Sequence, residues 1–321
     1  YKMLTTLPDS KRYLLVPEGQ PVPKGLDEDV SILQEPLQNI YLVASGVMDM
    51  FASVDAVDQI RFSGQKQENW YIQTAKDAMA AGDMIYAGKY SKPDYELLVS
   101  EGCDLAIENR MITHSPEVVE MLQSFDIPVM IEYSSYEQHP LGKVEWVKFF
   151  GALTGKEAEA EEAFAEQTEI LEKVESGEKT GKTIAFFYVT SNGLIQVRQS
   201  TDYIPKLIEL AGGRYIFENL EDSGSGRSTL NMQVEDFYAG AKDADILIYN
   251  SSIDGGVTTV DELIGKCNIL KDFKAVQEGQ VYCTTNDMYQ QSMAIGYLLQ
   301  DMHTVLTDDD TAKLRYLFLL Q

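Results

Sequence analysis

Cysteine and histidine are scarce, three of each in 321 residues. Cys103, Cys267 and Cys283 are too few for a disulfide framework and too scattered for a zinc site. Cys103 opens the apolar stretch 103–107 and reads as a small buried hydrophobe, while spacing alone leaves a Cys267–Cys283 bridge open. Positive charge is scarce too: 26 Lys and Arg face 51 Asp and Glu, a formal charge of −25, which excludes a nucleic-acid partner because phosphate binding needs clustered cations. The surplus of carboxylates is read as solvated surface, not as a ligand signal. Long apolar runs are missing as well. The most apolar stretches, 184–189 and 246–249, are strand-sized and far below the roughly 20 residues a bilayer crossing needs. The chain opens on Tyr1-Lys2-Met3-Leu4 without a basic segment followed by an apolar run, so any export signal is expected outside these residues.

Catalytic motifs are also lacking. There is no G-x-S-x-G elbow, no H-E-x-x-H and no nucleophile with a base close by in sequence. Gly224-Ser225-Gly226-Arg227-Ser228-Thr229 lacks the order of a phosphate-binding loop and reads as a surface loop. The expectation from these motifs is no catalytic residues, no metal site of the chain's own and no cofactor.

What is present is an α/β pattern long enough for two domains. Residues 1–36 are rich in turns and hold one strand-like run, 12–16. Alternation then begins: strand 39–44, a helical pattern at Met48, Phe51, Val54 and Val57, helices at 76–81 and 93–100, strand 104–108, helix 116–125 and strand 128–133. From 146 to 175 alanine, glutamate and lysine dominate, with Phe164, Thr168, Leu171 and Val174 at helical spacing, which predicts one helix of up to roughly 30 residues. The second half repeats the grammar: strands at 183–189, 245–250 and 280–283, with helices at 203–211, 234–241, 259–265 and 287–305. The fold class is α/β: two lobes with mainly parallel sheets flanked by helices, joined by a single long helix. The expected divisions are an N-terminal lobe over 1–145, the connecting helix over 146–177 and a C-terminal lobe over 178–321.

In such sheets ligands bind in loops beyond the carboxyl ends of the strands. That rule selects 45–48, 109–114, 133–139, 190–198, 251–256 and 285–290, loops that facing lobes would gather into one cleft. They carry Tyr133, Tyr136 and Tyr289, the cations Arg110 and Arg198, and His114 and His139; Trp70 and Tyr71 in an earlier loop could join them. Rings supply rigid contact area and arginine supplies forked donors for carboxylate or catecholate oxygen, a mix that suits a bulky, partly apolar, partly anionic ligand.

The order of several short segments resembles the binding proteins for siderophores, haem and cobalamin that serve ABC importers. Lys92-Pro93-Asp94-Tyr95-Glu96 leading into Asp104-Leu105-Ala106-Ile107 is similar to the family's glutamate-bearing helix and following strand. Phe125-Asp126-Ile127-Pro128-Val129 resembles its next strand entry, and Phe150-Gly151-Ala152-Leu153-Thr154-Gly155-Lys156-Glu157 the opening of its interlobe helix. In the second half Ala211-Gly212-Gly213, Gln233-Val234-Glu235, Asp245-Ile246-Leu247-Ile248 and Ala275-Val276-Gln277-Glu278-Gly279-Gln280-Val281-Tyr282 follow in the family's order. The resemblance implies an extracytoplasmic protein, lipid-anchored at its N-terminus, that captures an iron–siderophore complex, haem or a corrinoid in the interlobe cleft. It also implies an ABC permease as partner, docked through Glu96 and Glu235. The alternatives are a zinc- or manganese-binding protein of a related importer and a two-lobed enzyme of the chelatase or nitrogenase kind.

Overall fold

The computed structural model describes residues 1–220, 228–309 and 311–321. The loop segment 224–227 singled out above lies outside the described residues. The chain forms two compact units: Tyr1–Ser135 with Glu145–Phe164 and Gln290–Met293, and Tyr136–Val144 with Ala165–Tyr289 and Ala294–Gln321.

The first unit opens with a sheet that sequence reasoning saw only in part. Strands β1 (Lys2–Thr6) and β2 (Lys11–Val16) form an antiparallel hairpin, and β3 (Val30–Gln34) pairs parallel to β2. The main sheet follows: β4 (Ile40–Leu42), helix α1 (Val47–Ser53), β5 (Ile60–Ser63), α2 (Gln73–Ala81) and β6 (Ile85–Tyr86). A small hairpin, β7 (Gly88–Lys89) and β8 (Lys92–Pro93), leads into α3 (Tyr95–Ser100), β9 (Leu105–Asn109), α4 (Pro116–Ser124) and β10 (Val129–Glu132). The five strands are all parallel, in the order β10-β9-β4-β5-β6. The chain winds outward from β4 through β5 to β6, then returns past β4 to β9 and β10. Right-handed crossovers therefore put α1 and α2 on one face and α3 and α4 on the other, with the switch of direction between β4 and β9.

Leu98 of α3 and Val118 and Leu122 of α4 pack on Tyr41, Phe62 and Ala106 of the sheet, giving that face its core. Asp104 aligns the strands from below, its carboxylate accepting the backbone N–H groups of Gln38 and Asn39 at 2.9 and 2.8 Å. On the other face Phe51 of α1 meets Phe150 at a centroid distance of 5.5 Å.

The expected continuous helix over 146–175 is two helices, α5 (Pro140–Thr154) and α6 (Glu157–Glu175). The break falls at Gly155, whose φ of +73° is left-handed and favours glycine, and the Lys156 N–H closes α5 on the Gly151 carbonyl at 2.7 Å. Apolar periodicity carries across such a corner, so the pattern alone could not show it.

The second unit holds a seven-stranded sheet with a parallel centre and antiparallel margins. Its elements are β11 (Thr183–Val189), β12 (Ile195–Arg198), α7 (Tyr203–Leu210), β13 (Arg214–Tyr215), β14 (Thr229–Met232), α8 (Val234–Ala241), β15 (Ile246–Tyr249), α9 (Val260–Lys266), α10 (Lys274–Gln277), β16 (Val281–Thr284), α11 (Ile295–Thr307) and β17 (Leu317–Leu319). β11, β15 and β16 run parallel, while β12 turns back antiparallel on β11, β14 on β12 and β17 on β16. Asp245 repeats the device of Asp104, accepting the Thr183 N–H at 2.7 Å and pairing with Lys274 at 2.6 Å. The predicted helix over 287–305 begins only at Ile295, after a 3₁₀ turn over Ser292–Ala294. Phe187, Phe237 and Phe273 centre the core, which also takes in Cys267 and Cys283. All three cysteines are free, so the Cys267–Cys283 bridge left open by spacing is not made.

Candidate functional site

In the first unit the topological switch directs attention to the ends of β4 and β9, where an open parallel sheet offers a crevice. β9 ends at Asn109, whose side chain caps the turn Arg110–His114 by accepting the Met111 N–H at 2.9 Å. One strand over, β10 ends at Glu132, and its buried carboxylate fixes the next turn by accepting the Ser134 N–H and hydroxyl at 2.8 and 2.6 Å. Between these two caps stands Tyr133. Its phenol donates to Asp9 at 3.2 Å, and burial, reinforced by the Asp9 charge, pushes the phenol up to about 12. The positive charge of Arg110 acts on the same phenol in the opposite sense, so Asp9, Arg110 and Tyr133 form one electrostatic group.

The remaining candidates of this unit divide. Trp70 is 0% exposed and its indole N–H donates to Ser63 at 3.0 Å, so it braces its loop and offers no surface to a ligand; an aromatic in a polar loop gave no sign of that anchoring. Tyr71 is exposed, its backbone held by the Gln290 side chain at 2.8 Å. His114 is exposed at the end of its 3₁₀ turn. Glu96 is exposed on α3.

In the second unit the strand ends build a tighter cluster around Arg198. Sequence reasoning placed this residue in a loop after β11, but it is the last residue of β12, which the turn at Gly193 folds back along β11. Arg198 is 8% exposed, and its guanidinium lies 5.7 Å from the Phe186 ring and 5.5 Å from that of Tyr289. It pairs with Asp202 at 3.4 Å and donates to the Tyr289 hydroxyl, which also accepts from the Asn250 side chain at 2.8 Å. Asp202 in turn caps α7 by accepting the Ile204 N–H at 3.0 Å. Two of the predicted residues, Arg198 and Tyr289, are thus brought together. Asp202 and Asn250 were missed, although Asp202 stands in the cap position before a predicted helix.

Lys143, in the first turns of α5, was missed outright. It is 6% exposed, its ammonium sits 4.4 Å from the ring centre of Tyr203, and among the described residues no carboxylate lies within ion-pair distance of it. Because Tyr203 directly follows Asp202, the cation is held at the same end of α7. A cavity of about 370 Å³ runs alongside, lined by Gln138, Ser200, Asp202, Lys206 and Arg214 among others. A buried guanidinium and a buried ammonium in a chain of charge −25 make this the place best suited to oxygen-rich anionic groups. Tyr136 and His139 belong to the same unit and are exposed; the His139 ring nitrogen Nδ1 accepts the Leu141 N–H at 3.2 Å, which ties it to the start of α5. Glu235 is exposed on α8. Among the described residues no three His, Cys, Asp or Glu side chains converge to hold a metal ion, and no helix is long and apolar enough to cross a membrane.

Comparison with known proteins agrees with this architecture. A solved structure of a possible iron-binding (periplasmic solute-binding) protein of Staphylococcus epidermidis has a TM-score of 0.64, covering 84% of this chain and 98% of that one at 16% identity. A periplasmic haem-binding protein of Vibrio cholerae gives 0.65, with 83% and 98% covered at 14% identity. At these identities the likeness is one of fold. An uncharacterized lipoprotein of Methanocaldococcus jannaschii is 25% identical over 316 residues, 92% of this chain and 72% of the relative. The family model described as periplasmic binding protein matches residues 43–288, which takes in the main sheet of the first unit from the end of β4 and the Arg198 cluster of the second, and the chain belongs to the periplasmic binding protein family.

Proposed function

We propose that this chain is the extracytoplasmic substrate-binding component of an ABC importer, and that it captures a metal complex with a bulky organic shell, namely a ferric siderophore, haem or a corrinoid. The observation that carries the reading is the Arg198 cluster. A buried guanidinium, with one fork on Asp202 and another on Tyr289, is set beside aromatic rings and a second buried cation, Lys143, at the carboxyl ends of the strands. Forked donors match carboxylate, catecholate or hydroxamate oxygen, and the rings match the organic periphery of a chelate. In the first unit Arg110 and Tyr133, with Tyr71, supply the corresponding groups.

The structural neighbours include a haem-binding protein and an Fe3+-hydroxamate transport protein, which supports the choice of ligand class. The lipoprotein relative supports a lipid anchor and a place outside the cytoplasm. Delivery to the permease is assigned to Glu96 and Glu235, and the segment 146–177 to the connection between the ligand-binding domains.

Thermal unfolding with a panel of haemin, cyanocobalamin, a ferric hydroxamate, a ferric catecholate, Zn2+ and Mn2+ tests the reading. A ligand at 100-fold excess over its Kd adds about 2.7 kcal/mol, a shift of several degrees. We expect one class of chelate to raise Tm and the bare ions to leave it unchanged. Stabilisation by a bare ion alone, or by nothing in the panel, would overturn it.

A further inference from the structure

The hairpin that opens the chain precedes the segment shared with the family, which begins at residue 43, yet it is seated against the strand ends of the first unit. Two side-chain contacts fix its direction. Midway along it, buried Tyr13 of β2, opposite Leu4 of β1, donates its hydroxyl to the Val129 carbonyl at the start of β10, 3.1 Å away. At its tip, Asp9 accepts the phenol of Tyr133, just past the end of β10, at 3.2 Å. Four residues down β2 therefore correspond to four residues up β10, so the hairpin lies along this outer strand and carries its turn to the sheet's carboxyl edge. The turn is internally tied: Asp9 accepts the Thr6 hydroxyl at 2.6 Å and the Lys11 N–H at 3.2 Å, and Ser10 takes a left-handed φ of +55°. At the same turn the apolar side chain of Leu7 is 84% exposed, beside the residues at the end of β10.

We infer that the β1–β2 turn, Leu7-Pro8-Asp9-Ser10, is a specificity element of the ligand site, supplying an apolar contact through Leu7 and a negative charge through Asp9 beside Tyr133 and Arg110. The inference rests on the reading of the strand ends as the ligand site. Its consequence is a preference within the first unit: with Asp9 on Tyr133 and Arg110 acting on the same phenol in the opposite sense, the strand ends of this unit favour apolar, weakly charged groups of the chelate. Asp9 thereby disfavours chelates that are anionic all round.

Two substitutions test this on the full chain, with Kd measured by tryptophan and tyrosine fluorescence and by calorimetry for every chelate of the panel. Leu7→Ser alters a side chain that is 84% exposed, so unfolding of the unliganded chain should change little, whereas affinity for the preferred chelate should fall roughly tenfold, as expected for one lost leucine contact. Asp9→Asn keeps an acceptor for Thr6 and Lys11 but removes the charge, and should tighten anionic chelates relative to neutral ones. If the wild-type chain binds a chelate and the Leu7→Ser variant binds it equally well, the hairpin has no part in recognition. If the Asp9→Asn variant keeps the wild-type ratio of anionic to neutral affinity, the assigned charge role is wrong. A wild-type chain that binds no chelate defeats the functional reading itself, a result distinct from either of these.

Discussion

Glu108 lies on β9 beneath the α3 and α4 packing, 0% exposed, and neither of its carboxylate oxygens has a hydrogen-bond partner among the described residues. Burial pushes its carboxyl up to about 8, because ionisation there would strand a charge against apolar side chains and the phenols of Tyr41 and Tyr95. The folded chain thus holds this proton more tightly than the unfolded chain, where glutamate titrates near 4.3. The stability it contributes is complete below about pH 4.3 and is lost as the pH climbs towards 8, at a slope of up to about 1.4 kcal/mol per pH unit. Glu108→Gln removes the titration. Urea unfolding followed by tryptophan fluorescence reports this unit alone, since Trp70 and Trp146 both belong to it. The variant should be more stable than the wild type at pH 8 and no more stable at pH 5; parallel pH dependences for the two chains would refute the assignment. Arg198 allows a second test of the same grain. Arg198→Lys keeps the charge but cannot reach Asp202 and Tyr289 together, and should weaken an anionic chelate by roughly tenfold or more. An unchanged Kd would remove Arg198 from the site. Residue types in strand-end loops pointed to Arg198 and Tyr289 because strand ends are legible from apolar runs. Asp9, Lys143 and Glu108 were not legible, since their roles come from contacts across 60 to 124 positions of sequence or from burial that no local pattern encodes.

The α5–α6 corner shows where sequence patterns end and packing begins. Gly151 and Ala160 face each other so closely that a Cβ on Gly151 would stand 2.4 Å from that of Ala160 and 2.9 Å from the Lys156 carbonyl. Lys148 clamps the same corner, pairing with Glu161 at 2.9 Å and lying 4.2 Å from the Phe164 ring centre. Gly155, in contrast, has open space around its missing side chain and is required only for its positive φ. Gly155→Ala should therefore cost about 1 kcal/mol from backbone strain, while Gly151→Ala, which must push two helices apart, should cost about 1–3 kcal/mol. Both are read from urea midpoints of tryptophan emission; a Gly155→Ala penalty larger than that of Gly151→Ala would reverse the argument. The parallel strands β4, β9, β10, β11, β15 and β16 were legible because each is a largely apolar run bounded by turn residues, whereas β5 and β6, short and interrupted by Arg61 or only two residues long, were not read as strands. The antiparallel margins β12, β14 and β17 and the hairpin partner β1 were not legible either, being only three to five residues long, with stability that comes from a neighbouring strand. β17 illustrates the point: the N–H groups of Arg315, Tyr316 and Leu317 leading into it are collected by the buried carboxylate of Asp301, fourteen to sixteen residues earlier.

For the molecule as a whole, charge decides what kind of partner can approach. With 51 acidic and 26 basic residues, nearly half of the carboxylates must lack a cation, and those exposed without an ion-pair partner are open to a cationic surface. Glu96 and Glu235 occupy equivalent positions, each the second residue of its helix, α3 in one unit and α8 in the other, and among the described residues neither has an ion-pair partner. A permease with arginine on the receiving surface would be steered to these groups, and the attraction would weaken as the Debye length falls from about 10 Å at 0.1 M salt to about 3 Å at 1 M. The double substitution Glu96→Ala with Glu235→Ala should leave chelate affinity and Tm unchanged while abolishing uptake into vesicles that carry the cognate permease. Wild-type uptake should decline with salt over the same range in which binding of chelate to the isolated chain changes little. Full uptake by the double variant would show that docking rests on other surfaces. A parallel loss of chelate binding would show instead that the two helices serve the ligand site and not the partner.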